Sequence, residues 1–242
     1  DPLKNAIGKY VLVVNADDPL LSSNLFYQSF NALDRDPNIV VTYPDWNVIS
    51  DKNRILESKN LPDFSMELLV GEFLCLPGPG SIFRRSTALK IGGRNAAFKF
   101  VSDYDFWLRM SLEGIFFHIP YVLAQWREHA QSKSASSRGL EMGLERIQVM
   151  EDFLRNTDLD ASLIRKGISH AYYNAALLSY FTKSVPGRKW MLRAFRTRRG
   201  LIESSDLRII LFCLFLPFSR ALLPILDKTP LINRPLKRVD RA

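Results

Sequence analysis

Two short stretches carry residue types that do chemistry at places where a fold would present them. In "YVLVVNADDPL" the apolar run Tyr10 to Val14 stops at Asn15, Ala16, Asp17 and Asp18. Loops at the carboxyl ends of strands in open α/β sheets are where ligands sit. Carboxylates there bind hard divalent cations such as Mg²⁺ or Mn²⁺, which neutralise a diphosphate. The same letters also spell an Asp-Asp-Pro turn whose side chains cap backbone donors, and residue type alone leaves both readings open. In "FVSDYDFWLRMS", Ser102, Asp103 and Asp105 open a helix. A capping box of Ser102 with Asp105, and acids favoured by the helix dipole, account for them structurally. An exposed Asp103 acting as general base on an acceptor hydroxyl accounts for them chemically.

Two weaker signals lie near these. In "WREH", His129 follows an apolar strand and opens the polar loop Ala130 to Ser137, which makes its imidazole accessible to a metal. Arg127 beside it can neutralise phosphate oxygens. His118, inside an apolar run, reads as core, and His170 has no evident partner. In "LPGPGS", Gly78 and Gly80 permit close backbone approach to a ligand, yet their spacing matches neither a phosphate loop nor a dinucleotide fingerprint. The stretch reads as a rigid turn lining a pocket.

The elements that must position these residues alternate. Residues 10–14 read as a fully buried strand. A helix follows over Ser22 to Asp34, with Ser22 or Ser23 as its cap and Leu25, Phe26, Ser29 and Leu33 near one face. Ile39 to Tyr43 reads as a short strand, and Asn47–Ser50 with Arg54–Ser58 as a hairpin around Asp51-Lys52-Asn53. Asp63 to Phe73 suggests a short helix. Ser81 to Arg84 suggests a strand, and Ser86 caps a helical turn that stops at Gly92-Gly93. Tyr104, Trp107, Leu108, Ser111 and Leu112 have amphipathic helical spacing, and Ile115 to Leu123 reads as a strand. This alternation predicts an α/β layer up to about residue 130. From Gly139 the sequence is helical throughout, with helices near 139–155, 161–182, 187–200 and 206–226.

Taken in order, "GKYVLVVNADDPL", "PGPGSIFRRSTALKIGG", "FVSDYDFWLRMS" and "WREHAQSKS" resemble the second half of the catalytic domain of inverting family-two glycosyltransferases of the GT-A fold. The resemblance covers roughly residues 1–150. It implies a partial GT-A, Rossmann-like mixed sheet flanked by helices over 1–138, followed by a helical region over 139–242. The family's Asp-x-Asp matches Asn15 and Asp17, so the first carboxylate is an amide here. The implied divalent metal (Mg²⁺ or Mn²⁺) falls to Asp17, Asp18 and His129. The family's Glu-Asp pair matches Ser102-Asp103, which makes Asp103 the implied catalytic base. Its Arg-x-His element matches Arg127 and His129. Substrate contacts are assigned to Arg127, Gly78, Gly80, Asp105 and Trp107. The implied reaction is a single in-line displacement from a nucleotide-sugar donor onto a glycan or lipid-linked acceptor, in surface polysaccharide or glycoconjugate synthesis. In that family a strand–helix–strand half holding the nucleotide precedes the metal motif, whereas this sequence opens about ten residues ahead of it. The expectation is that the chain alone binds sugar nucleotides poorly and does not turn over. A non-catalytic, truncated glycosyltransferase-like interaction module is therefore the competing reading.

Charge separates the chain into two parts. Residues 1–182 hold 19 Lys/Arg against 21 Asp/Glu, and residues 183–242 hold 14 against 4. The basic character belongs to the tail. There, Ile209 to Ser219 is an uncharged run of 11 residues, too short for a bilayer, which takes about 20. Two readings stand for it: a buried helix, or an interfacial helix whose flanking arginines meet an anionic membrane surface. No nucleic-acid recognition motif accompanies these charges. Cys75 and Cys213 sit in apolar surroundings, which suits a reducing compartment. The expected location is cytoplasmic, at the inner face of the membrane.

Overall fold

The computed structural model describes residues 2–128, 139–181 and 187–197. A single helical turn, α1 (Pro2–Asn5), leads into β1 (Tyr10–Leu12), and the chain then leaves the sheet as a loop. Helix α2 (Asn24–Arg35) buries Leu25, Ser29 and Leu33 along one stripe, while Phe26, expected on that face, is exposed. The Ser22 hydroxyl accepts the Asn24 amide at 3.1 Å at its start.

Strand β2 (Ile39–Ile49) is the axis of the sheet, with all eleven residues buried. It exceeds the expected 39–43 because it runs on through Pro44 and the polar Asp45 and Asn47. The register slips on either side of Asp45 accommodate the missing proline N–H. Asp45 is satisfied inside by the Leu61 amide at 2.8 Å and by His118 Nε2 at 2.9 Å. A bend carrying Asn53 at positive φ turns the chain into β3 (Ile55–Lys59), antiparallel to β2.

The expected helix at 63–73 is confined to one π-helical turn, Glu67–Gly71. Next come β4 (Ile82–Arg84), α3 (Arg85–Lys90), α4 (Ser102–Ser111) and β5 (Ile115–Arg127). β5 lies parallel to β2 along its length, while β4 is antiparallel to both β2 and β1. The result is a mixed sheet flanked by helices, the α/β class read from the alternation. β1 is shorter than expected and only half-buried, and Val13 and Val14 are about half exposed. Among the described residues it lies at one end of the strand order, with β4 on one side only. An edge position explains the incomplete burial.

Leu25, Leu33, Ile82, Ile119 and Leu123 form the core under α2. Phe83, Phe106, Trp107, Met110 and Phe116 form the core on the α4 side, with edge-to-face aromatic contacts. Beyond α4 stand α5 (Gly139–Arg155), α6 (Ala161–Phe181) and α7 (Gly187–Thr197), at the expected places. They share a third core with α4 and the π turn. Gly143 lets α5 and α6 approach closely, since a Cβ there would lie 2.9 Å from Ala175 Cα. The expected helix at 206–226 lies outside the described residues. Among the described residues no helix is long and apolar enough to cross a membrane.

Asp160 caps α6. Its Oδ1 accepts the Ser162 amide at 2.7 Å and the Leu163 amide at 3.3 Å. Hydrogen bonds from Ser162, side chain then backbone, and from Leu163 hold its carboxyl below the ordinary carboxylate value. A depressed native pKa contributes stability that is fully present above the unfolded value of about 3.9 and is lost as pH falls through the native one. Asp160→Ala is therefore expected to lower the melting temperature at pH 7. The difference from wild type should shrink once the pH drops below about 3.9. An equal difference at neutral and strongly acid pH would contradict the capping assignment.

Candidate active site

A cavity of about 670 Å³ opens where the loop after β1, the turn before β4, the π-turn segment and the start of α4 converge. Asn15 and Asp18 line it from the first of these, Gly78 and Gly80 from the second, and Asp103 and Trp107 from α4. Three separate sequence signals thus meet at one place.

The loop after β1 is pinned by β5. The Leu21 amide donates to the Leu123 carbonyl, and the Gln125 amide to the Pro19 carbonyl, so residues 19–21 run beside the end of β5. Asp18 is buried, and both its oxygens serve this join: Oδ1 accepts the Arg127 amide at 2.9 Å and Oδ2 accepts Asn15 Nδ2 at 2.7 Å. The Arg127 guanidinium donates to the Asp17, Ser50 and Asp51 carbonyls, which ties the β2–β3 turn to the same loop. Arg127 and Asp17 are not among the cavity-lining residues. Asp17 is exposed, and His129 lies outside the described residues. Among the described residues no group of three or more His, Cys, Asp or Glu side chains could hold a metal ion. The described residues alone do not fit a divalent cation.

The turn at 77–80 is rigid for a reason the sequence shows. The Gly78 amide donates to Ser81 Oγ at 2.9 Å, and Gly80 takes φ +79°. A Cβ on Gly80 would lie 2.9 Å from Ala124 Cβ. Trp46 packs against Gly78, and Trp46 and Trp126 meet edge-to-face at 6.2 Å on the cavity wall.

At α4 the expected capping box does not form. Asp105 is instead engaged by Arg109, with Nη2 at 2.5 Å and Nε at 3.1 Å, and it is not among the cavity-lining residues. The chain entering α4 is held from outside. Glu145 of α5 accepts the amides of Lys99 (3.0 Å), Phe100 (2.8 Å) and Val101 (3.3 Å). Asp103 is exposed, its Oδ1 accepts the Tyr104 amide at 2.8 Å, and among the described residues no cation pairs with it. A carboxylate on a rigid helix start, facing a cavity and without a counter-ion, can take a proton from a bound hydroxyl.

Residues that the sequence did not single out complete the wall. Lys166 of α6 bridges Glu67 and Glu72, fixing the π turn just before Phe73. Phe73 adopts φ +58°, uncommon for an aromatic residue, and stacks on Tyr104 at 4.5 Å. Tyr104 donates to the Leu69 carbonyl at 2.5 Å. The Arg146 guanidinium lies over the other side of this wall, 5.7 Å from the Phe73 ring centre, and donates to Asn174 Oδ1 at 3.1 Å. Burial pushes the Tyr104 hydroxyl and the Cys75 thiol well above their ordinary values, with the Asp103 charge adding to the effect on Cys75. Burial lowers the Arg146 pKa, while nearby Tyr104, Asp103 and Cys75 act in the opposite direction. Lys166, Phe73, Arg146 and Asn174 carry no common spacing signal because they come from separate segments of the chain.

No family model matches the chain, and no curated protein sequence does. Among solved structures it is similar to mannosyltransferase PcManGT from Pyrobaculum calidifontis, determined in complex with GDP-Man and Mn²⁺. The two share 13% identity with a TM-score of 0.44, covering 92% of this chain and 58% of that one. The chain thus spans less than two thirds of the length of that protein. The functional reading rests on the cavity itself.

Glu145→Ala removes one acceptor from three backbone amides. It is expected to cost about 1–3 kcal/mol of unfolding free energy, read from denaturant midpoints. Amide hydrogen exchange at residues 99–101 should rise in the same variant. Gly80→Ala combines positive φ with a clash and is expected to cost about 1–3 kcal/mol. A neutral outcome for both would mean that the cavity rim is not held as described.

Proposed function

We propose that the protein is a glycosyltransferase of the GT-A type. It would transfer a sugar with inversion from a nucleotide-sugar donor to a glycan or lipid-linked acceptor hydroxyl, in surface polysaccharide or glycoconjugate synthesis. One observation carries this reading: Asp103, the position that matches the family's base, stands exposed on the cavity wall, without a cation partner among the described residues. It faces a cavity that also gathers the strand-end loop and the Gly78–Gly80 turn.

In the reaction, Asp103 takes the proton of the acceptor hydroxyl as its oxygen bonds to the anomeric carbon. The bond from that carbon to the nucleoside diphosphate breaks, and the leaving group departs with the electron pair. A single displacement of this kind inverts the anomeric centre and needs no enzyme nucleophile. Trp126, half-buried on the wall, supplies apolar surface against which a sugar ring can pack, with Trp46 and Trp107 buried behind the lining. Arg127 braces the loop at the rim, and its Nη2 donates no hydrogen bond within the described residues.

A specific observation favours the competing reading of a non-catalytic module. Both Asp18 oxygens are committed to the loop's own hydrogen bonds, and Asn15 replaces an acid. The experiment that separates the two is release of nucleoside diphosphate from sugar-nucleotide donors, with and without candidate acceptors. Asp103→Asn should lower turnover by about 10²–10⁴-fold and leave donor binding unchanged by calorimetry. Near wild-type turnover in that variant would remove Asp103 from the chemistry. Wild-type protein that releases no nucleoside diphosphate from any donor would support the non-catalytic module.

A further inference from the structure

The helical wall of the cavity carries positive charge that the described fold does not neutralise. Arg146 lines the cavity, and among the described residues its one hydrogen bond to a side chain goes to Asn174, a neutral amide. Among the described residues no carboxylate lies within ion-pair distance of it. Asn174 is itself buried, and its Nδ2 is fixed on the His170 carbonyl, so its oxygen faces the guanidinium by construction. The Phe73 ring flanks the same guanidinium, and the strained backbone at Phe73 is what sets that ring there. Arg94, at the rim of the same cavity, is exposed and has no hydrogen-bond or ion-pair partner among the described residues.

Taking a guanidinium out of water without a counter-ion is costly. Burial accordingly lowers the Arg146 pKa, yet a guanidinium stays protonated under any physiological condition. Structural arginines in this protein are treated differently: Arg109 meets Asp105, and Arg84 spends its donors on the Leu33, Asp36 and Ile39 carbonyls. A planar fork held by an amide and a ring, with donors to spare and a cavity in front, is built to take a planar or tetrahedral oxyanion. Asp103 is within electrostatic reach of Arg146 but is not paired with it. An anion seated on Arg146 would therefore sit beside the base rather than on it.

We propose that Arg146, aimed by Asn174 and assisted by Arg94, binds an anionic group on the acceptor, a sugar carboxylate or a phosphate close to the hydroxyl that Asp103 deprotonates. The inference rests on the glycosyltransferase reading for the word acceptor, but the anion subsite is tested without turnover. Ligand-observed NMR titrations would compare glucose, glucuronate and glucose 6-phosphate. At least one charged sugar should bind about tenfold tighter than glucose or better, and which of the two is preferred identifies carboxylate or phosphate. The preference should vanish in Arg146→Gln and shrink in Arg94→Gln, and Asp103→Asn should retain it. Asn174→Ala should weaken it too, which supplies the test where Arg146→Gln does not fold by circular dichroism. Equal binding of neutral and charged sugars, or a preference that survives Arg146→Gln in a folded protein, overturns the subsite. Displacement of the charged sugar by saturating nucleoside diphosphate would reassign Arg146 to the donor and overturn the acceptor assignment. A charge preference in a protein that never turns over would sink the transferase reading and leave the anion subsite standing.

Discussion

The geometry of the cavity depends on one carboxylate outside it. Glu145 collects three consecutive backbone amides just ahead of α4, at 2.8–3.3 Å. These donors belong to the segment entering a helix whose own N-cap, Val101, makes no side-chain bond. Helix starts leave amides without intrahelical partners; within the first turn the Tyr104 amide goes to Asp103 Oδ1, but the three amides just ahead of the helix have no local acceptor. Here the partner comes from α5, so the direction in which α4 presents Asp103 is set by how α5 packs. The same helix contributes Arg146 at the next position, and α6 contributes Lys166 to the π turn and Asn174 to the guanidinium. The helices after residue 138 therefore hold two walls of the cavity in place while lining it themselves.

This arrangement explains what could be read from the sequence and what could not. Strand–helix alternation, the apolar stripe of α2, the Asn53 bend and the Gly-rich turn before β4 are local properties of short windows. Their physical causes, burial periodicity and permitted φ, act within those windows too. Two expectations failed because a long-range partner overrode the local rule. β2 continues through Pro44 and Asp45, since His118 and the Leu61 amide satisfy a carboxylate that in isolation signals a turn. Asp105 does not cap α4: its neighbour one turn on, Arg109, engages it, while the segment entering the helix is held by Glu145 from α5. The site divides in the same way. Asp103, Gly78 and Gly80 were visible as residue types at element boundaries. Arg146, Asn174 and Phe73 were not, because an arginine within an amphipathic helix normally marks a solvated face. Its meaning here depends on what α6 and the π turn place around it.

Asp18 shows the limit of reading chemistry from residue type. Two readings of the strand-end acids stood open, metal ligand or turn cap, and the structure shows an extensive capping role. Asp18 joins Asn15 to the Arg127 amide and so ties the end of β1 to the end of β5. Arg127 reinforces the same tie through the Asp17 carbonyl. A loop secured this way presents Asn15 at the cavity from a fixed position, which matters for any ligand that reaches it. The acidic motif contributes order at the rim, whatever else Asp17 does.

Strain is concentrated on the opposite wall. A π-helical turn followed by an aromatic residue at positive φ is unfavourable twice over, by about 1–3 kcal/mol for the backbone of Phe73. Phe73 is only partly buried, packing against the edge of the core shared by α4, α5 and α6. What offsets the strain is specific: Lys166 holds both acids that flank the turn, Tyr104 bonds the Leu69 carbonyl inside it, and the Phe73 ring gains contacts with Tyr104 and Arg146. Relaxing Phe73 to ordinary φ would move its ring away from Tyr104 and release one side of the Arg146 guanidinium. The strained residue, the half-buried cation and the helix that carries Asp103 thus form one mechanical unit. The cost of holding a guanidinium at the cavity wall is borne by α5 and α6, and the cavity receives a rigid positive group beside a base.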